Sequence, residues 1–181
     1  MAQTRIAVIV GSLRKDSFNR KLADALPALA PDVEFTQLRI ADLPHYDQDD
    51  DDRPADSVKR LKGEIAAATG LIFVTPEYNR SFSGVLKNAI DHASRPYGQN
   101  AWKGKPAGIL GVSIGAAGTA MAQQHLRNVL AYLDVPTLGQ PEVFIQNKEG
   151  LFAGDGKLGE STAKFVKGWM DAYLAFVNRH A

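Results

Sequence analysis

The residues richest in chemistry lie where the run Val8-Ile9-Val10 breaks off at Gly11 and Ser12-Leu13-Arg14-Lys15-Asp16-Ser17-Phe18-Asn19-Arg20 follows. The apolar, β-branched run reads as a strand, and helical spacing resumes near Asn19, so this is a strand, a polar loop and a helix start. The loop is made of donors: the hydroxyls of Ser12 and Ser17, the amide of Asn19, the guanidinium of Arg14 and the free N–H groups of the coming helix. Such a helix N-terminus is an anion site and is best matched to a phosphate. The dinucleotide pattern G-x-G-x-x-G is excluded because Gly11 is the loop's one glycine, and the triphosphate pattern G-x-x-x-x-G-K-[ST] occurs nowhere in the chain. A loop that uses hydroxyls in place of glycines suits a terminal monophosphate, as on FMN. The plain alternative is an ordinary turn with Ser17 as the helix N-cap.

Two further stretches spend unusual residues after an apolar run. Leu71 to Thr75 leads into Pro76-Glu77-Tyr78-Asn79, and Ala107 to Ser113 leads into a turn containing Gly115 and Gly118. Tyr78 can pack beside a flat ring, and glycines let a backbone approach one closely. Each also has a plain reading. Glu77 complements the dipole of the helix after it, and Gly115 to Gly118 is a strand-to-helix turn.

The elements that must position these loops alternate regularly. Strands are expected at Arg5–Val10, Val33–Leu38, Leu71–Thr75 and Ala107–Ser113, with a fifth in two pieces at Pro136–Leu138 and Val143–Ile145. Helical stripes start near Ser17 (Leu22, Leu26, Leu29), Asp56 (Val58, Leu61, Ile65), Phe82 (Leu86, Ala89, Ile90), Gly118 (Ala122, Leu126, Leu130) and Glu160 (Val166, Trp169, Tyr173). Asp56 is the expected cap of the second helix and Gly70 its stop. Five strands alternating with five helices predict one α/β domain over residues 1–181. Its architecture is a doubly wound five-stranded parallel sheet in the flavodoxin-like order 2-1-3-4-5. In that order the loops after strands one, three and four converge at the carboxyl ends of the strands.

A net charge of +1 gives no case for nucleic acid, and the absence of cysteine excludes disulfides, thiolate metal sites and iron–sulfur clusters. No apolar run approaches the ~20 residues of a membrane span, and a cytoplasmic location is the default expectation. Charge is local instead. Asp42 to Asp56 carries a net of −6, whereas Arg95 to Arg127 carries +4. Asp49 to Asp52 lacks the alternate-position oxygens and glycine bend of a Ca²⁺ loop and reads as a solvated acidic loop. His45, His92, His125 and His180 have no metal-like spacing, so no metal is expected.

Gly11-Ser12-Leu13-Arg14 with Ser17 and Asn19, Thr75-Pro76-Glu77-Tyr78-Asn79, and Ser113 with Gly115 and Gly118 together resemble the NADPH-dependent FMN reductase family, nearest to its bacterial quinone and chromate reductases. The resemblance runs through nearly the whole chain. It departs from the family pattern at His92, where many members carry Trp. It implies that Ser12, Arg14, Ser17 and Asn19 hold the FMN phosphate. Pro76, Glu77, Tyr78 and Asn79 would lie along the isoalloxazine, and Ser113, Gly115 and Gly118 would line its other side. Arg95 is the candidate for the nicotinamide phosphate or an anionic acceptor.

The implied activity is ping-pong hydride transfer from NADPH or NADH through FMN to quinones, chromate or similar acceptors, with no protein group as acid or base. A homodimer or homotetramer is implied. Leu13, Phe82 and Tyr132 are contact candidates, and Arg127 and Glu142 candidate members of an interface ion pair. Long loops such as Leu43 to Pro54 would wall a neighbour's flavin. The alternatives are a flavodoxin-type FMN electron carrier to protein partners, and a module that binds a phosphorylated metabolite without redox chemistry.

Overall fold

The computed structural model describes residues 3–180. Five strands, β1 (Arg5–Val10), β2 (Glu34–Leu38), β3 (Gly70–Val74), β4 (Ala107–Ser113) and β5 (Val143–Gln146), alternate with five helices. These are α1 (Phe18–Ala25), α2 (Asp56–Ala67), α3 (Gly84–Ser94), α4 (Ala120–Tyr132) and α5 (Glu160–His180). The sheet order is β2-β1-β3-β4-β5, and every neighbouring pair is parallel. The expected topology is therefore the observed one. Parallel neighbours require crossovers that place helices on both faces, which is why β1, β3 and β4 read as near-continuous apolar runs.

Alternate residues of each strand feed two cores. Ile6, Val8 and Val10 face α1 and α5, where Trp169, Met170 and Tyr173 are buried. Ala7 and Ile9 face the other layer, built by Leu61 and Ile65 of α2, Leu86 and Ile90 of α3, and Leu126 and Leu130 of α4. Period-two alternation in the strands and 3.6-residue spacing in the helices lock this two-sided register, because a one-residue slip would turn every strand side chain to the wrong layer.

Two local expectations are corrected. Gly70 does not stop α2: the helix ends at Ala67, and Gly70 opens β3. A Cβ at Gly70 would lie 2.7 Å from the Tyr173 hydroxyl, so glycine is demanded by a helix crossing the strand rather than by a helix end. Asp56 is the first residue of α2 rather than its cap; the N-cap is Ala55, which makes no side-chain bond. The first helix is also shorter than its stripe, because Pro27 turns Leu26–Leu29 into a 3-10 turn. The split fifth strand is observed as β5 plus a parallel bridge between Ala107 and Thr137.

Candidate active site

At the end of β1 the chain has little room. Gly11 donates its N–H to the Val74 carbonyl at 2.8 Å, and a Cβ there would meet Ser83 Oγ at 2.9 Å. Glycine thus lets the end of β1 press against the start of α3. Ser17 caps α1 by accepting from the Arg20 N–H at 3.3 Å, and Ser12 accepts from the Arg14 N–H at 3.4 Å. Both serines are buried. A hydroxyl that accepts from the backbone still has its own proton to donate, so the capping role and the phosphate role are compatible. Arg14 is exposed, with its guanidinium carbon 5.7 Å from the centre of the Phe18 ring.

Asn19 is used differently from the expectation. Its buried amide donates to the Val112 carbonyl at 2.9 Å and accepts from the Val112 N–H at 2.9 Å. That reciprocal pair staples the start of α1 to the end of β4 and turns the amide into the fold.

After β3, Asn79 and Arg80 both have positive φ (51° and 65°), and Tyr78 and Ser81 exchange backbone hydrogen bonds of 2.9 and 3.0 Å. Two consecutive left-handed residues make a tight hairpin turn that pushes Tyr78 outward, about half exposed. Glu77 does not serve α3. Its carboxylate accepts from the Met121 and Ala122 N–H groups at 3.1 and 3.2 Å, at the start of α4. It therefore complements that helix's dipole and ties the loop after β3 to the loop after β4. α3 is capped by Ser83, which accepts from the Leu86 N–H at 3.4 Å.

The loop after β4 leaves Ile114 to Ala117 exposed. Gly118 has φ of +60°, and a Cβ there would sit 2.8 Å from the Ile145 nitrogen and the Phe144 carbonyl carbon, so its close approach is to β5. No comparable crowding surrounds Gly115.

A cleft of about 850 Å³ opens beside Ser12, Leu13, Arg14 and Tyr78. That is the size of a site for a cofactor-sized ligand. Ser83 and Gly84 line it too, so the N-terminus of α3 opens on the cavity, whereas Ser17 and Asn19 at the start of α1 do not line it. Residues of the loop after β4 do not line it, so the cleft joins two of the three predicted loops. Sequence reasoning offered the Leu43 to Pro54 loop only as a wall for a neighbour's flavin and missed the opposite wall of this chain's own cleft: Ile40, Leu43, His45 and Tyr46 from the segment after β2, and Val85 and Asn88 from α3. The signal was available in Leu43 and Tyr46, two apolar-bodied residues inside an otherwise acidic loop. That loop walls its own chain's cleft.

Arg95 lies elsewhere. It lines a second cleft of about 390 Å³ with Arg53 and Lys62, facing Asp47, Asp50, Asp51 and Asp52, and Tyr46 is shared between the two. Lys62 donates to the Arg95 carbonyl at 2.6 Å, and burial pulls its pKa below the ordinary value. Burial, and then the Asp51 carboxylate, push the Tyr46 phenol above its ordinary value. Within the acidic run, Asp47 caps a 3-10 turn at Gln48–Asp50. Arg127 and Glu142 face each other within one chain at 3.9 Å, and Arg127 also donates to the Leu138 carbonyl at 2.8 Å, so this pair braces the 136–142 segment. Leu13 and Tyr132 are exposed, while Phe82 is half-buried.

A parallel sheet in this order, with hydroxyls, a guanidinium and two helix N-termini gathered at its carboxyl edge, defines a flavodoxin-like protein built to hold a phosphorylated ligand. The family model for NADPH-dependent FMN reductases matches residues 4–150. The chain belongs to that family and is an FMN-dependent oxidoreductase using NAD(P)H. It is 52% identical over 175 residues to a 2-hydroxy-1,4-benzoquinone reductase of a Burkholderia species, covering 96% of each chain. It is 45% identical to a quinone reductase of Pseudomonas putida, over 95% of this chain and 94% of that one. The solved structure of FerB, a flavoenzyme NAD(P)H:(acceptor) oxidoreductase from Paracoccus denitrificans, superposes with a TM-score of 0.93 at 47% identity, covering 98% of both chains.

Proposed function

We propose that this chain reduces quinones, hydroxylated benzoquinones foremost, with electrons drawn from NAD(P)H. The observation that carries the reading is the cleft itself: Ser12 and Arg14 of the loop after β1 open into a largely apolar cavity whose far wall is Leu43 and Tyr46. The residues fit FMN. Ser12, Ser17 and the opening N–H groups of α1 offer neutral donors to its phosphate, and Arg14 adds charge and a planar fork. Asn19 acts at one remove, by fixing the helix start on β4. Pro76, Tyr78 and Asn79 would run along the ring, with Glu77 holding their loop in place. Ser113, Gly115 and Gly118 would flank it from outside the cleft.

When bound, FMN supplies the two-electron relay, oxidising the nicotinamide and then reducing the acceptor in a ping-pong cycle. The protein's own contribution is placement. Tyr78 and Leu43 exclude water from an aromatic acceptor. The 52% relative named for 2-hydroxy-1,4-benzoquinone supports this class. Chromate is carried as a further acceptor of the same reduced cofactor. Exposed Leu13, Tyr78 and Tyr132 support assembly into a homodimer or homotetramer that covers them, and no described helix is long and apolar enough to cross a membrane. The test is steady-state oxidation of NADH and NADPH with 2-hydroxy-1,4-benzoquinone over a grid of both substrates. Parallel double-reciprocal lines are expected. Intersecting lines would exclude the ping-pong cycle, and no quinone-dependent oxidation would exclude the reading.

A further inference from the structure

The far wall of the cleft is a connecting segment without a strand or helix of its own, and two side chains hold it. Asn88 donates its amide N–H to the Pro44 carbonyl at 2.8 Å and accepts from the Tyr46 N–H at 2.8 Å. His92, one helical turn further along α3, meets the same Pro44 carbonyl through Nε2 at 2.9 Å. A carbonyl can only accept, so this nitrogen carries the proton. The Tyr46 ring stands edge-on to the His92 ring, with centroids 5.4 Å apart at 90°. His92 is buried, although Pro44 and His45 above it are exposed. Within Leu43–Tyr46 the remaining polar ties are longer: the Leu43 N–H reaches Ile40 at 3.5 Å, and the Tyr46 hydroxyl reaches Asp51 at 3.3 Å. Just before it, Arg60 of α2 holds the Arg39 carbonyl at 2.8 Å and the Asp42 carboxylate at 3.0 Å. The Leu43–Tyr46 stretch itself is therefore held from α3.

We infer that Asn88 and His92 are positioning residues that clasp the Leu43–Tyr46 wall to α3, and that the clasped wall sets the size of the aromatic acceptor the cleft admits. His92 touches the wall from behind and does not line the cleft. It selects acceptors through Pro44 and Tyr46. The selection by size rests on the cleft being the acceptor site; the clasp itself does not.

The test uses the FMN-loaded protein and two probes, 1,4-benzoquinone and the larger 1,4-naphthoquinone. In His92→Ala, FMN affinity is expected to stay unchanged. The ratio of kcat/KM for naphthoquinone over benzoquinone should rise about tenfold, the scale on which a change of methylene size in an apolar pocket is discriminated. His92→Gln keeps an N–H donor and should restore most of the original ratio. Leu43→Ala, which widens the wall without touching the clasp, should move the ratio in the same direction and serves if His92→Ala does not fold. Hydrogen exchange at the Tyr46 amide, read without turnover, should accelerate in Asn88→Ala and in His92→Ala. Unchanged exchange would overturn the clasp. Faster exchange with an unchanged ratio, or an unchanged ratio in Leu43→Ala, would overturn the selection. Failure of the unaltered protein to reduce either quinone would show instead that the functional reading is wrong, and the exchange result would still decide the clasp.

Discussion

Two clefts share Tyr46 and differ in every other respect. The larger joins the loop after β1 to the apolar wall after β2, and among its lining residues Arg14 is the cation without a carboxylate partner. The smaller sets four aspartates against Arg53, Lys62 and Arg95. The same loop supplies both: its Leu43–Tyr46 half faces the first and its Asp47–Asp52 half the second. Proximity in sequence therefore says little about shared function here. What marks the first cleft is that donors and apolar surface meet at the carboxyl edge of the sheet, where helix N-termini point.

The comparison is broken most severely at Arg14. Arg14→Ala should weaken FMN binding by about 1.5–3 kcal/mol, the range for a charge-assisted hydrogen bond, as read by titration of the apoprotein against flavin fluorescence. Unchanged affinity would put the phosphate elsewhere. Glu77→Ala comes next. Loss of the carboxylate at the start of α4 should cost about 1 kcal/mol of stability in denaturant unfolding. FMN affinity should fall with it, since the loops after β3 and β4 lose their tie.

A substitution remote from both clefts gives a reference. The Tyr173 hydroxyl donates to the Leu71 carbonyl at 2.8 Å, and complete burial pushes its pKa well above the model-compound value of 10.0. Below that pH the phenol is neutral in both states. Above it the unfolded chain releases the proton and the folded one does not, so Tyr173 contributes a fall in stability as pH rises through the unfolded value. Tyr173→Phe should cost about 1 kcal/mol at neutral pH from the lost hydrogen bond and show a shallower alkaline decline, with FMN binding unaffected. The smallest effect belongs to the second cleft: Arg95→Ala should leave FMN affinity unchanged. A loss as large as that for Arg14→Ala would merge the two clefts into one site.

Strand order and the first loop were legible because they rest on local signals. Near-continuous apolar runs marked β1, β3 and β4, and Gly11 followed by hydroxyls marked the turn. The features that escaped depend on distant contacts. Asn19 looked like a loop donor, yet its partner is Val112, 93 positions away. Glu77 looked like the opening acid of the next helix, yet it serves α4, and its separation from Met121 is 44 positions. Gly70 and Gly118 looked like a helix stop and a ligand approach, whereas packing against Tyr173 and β5 requires them. That Leu43, His45 and Tyr46 line a cleft of their own chain was not legible, because no local pattern says that α3 will hold this stretch down.

The central claim is that the donors at the start of α1 hold an FMN that exchanges electrons with a nicotinamide. The most direct measurement is the visible absorption spectrum of the purified protein, reconstituted with FMN where needed, before and after anaerobic NADPH and then NADH. A flavin spectrum that bleaches with either nicotinamide and returns on adding a quinone is the predicted result. A protein that takes up no FMN, or a flavin that neither nicotinamide bleaches, would contradict it.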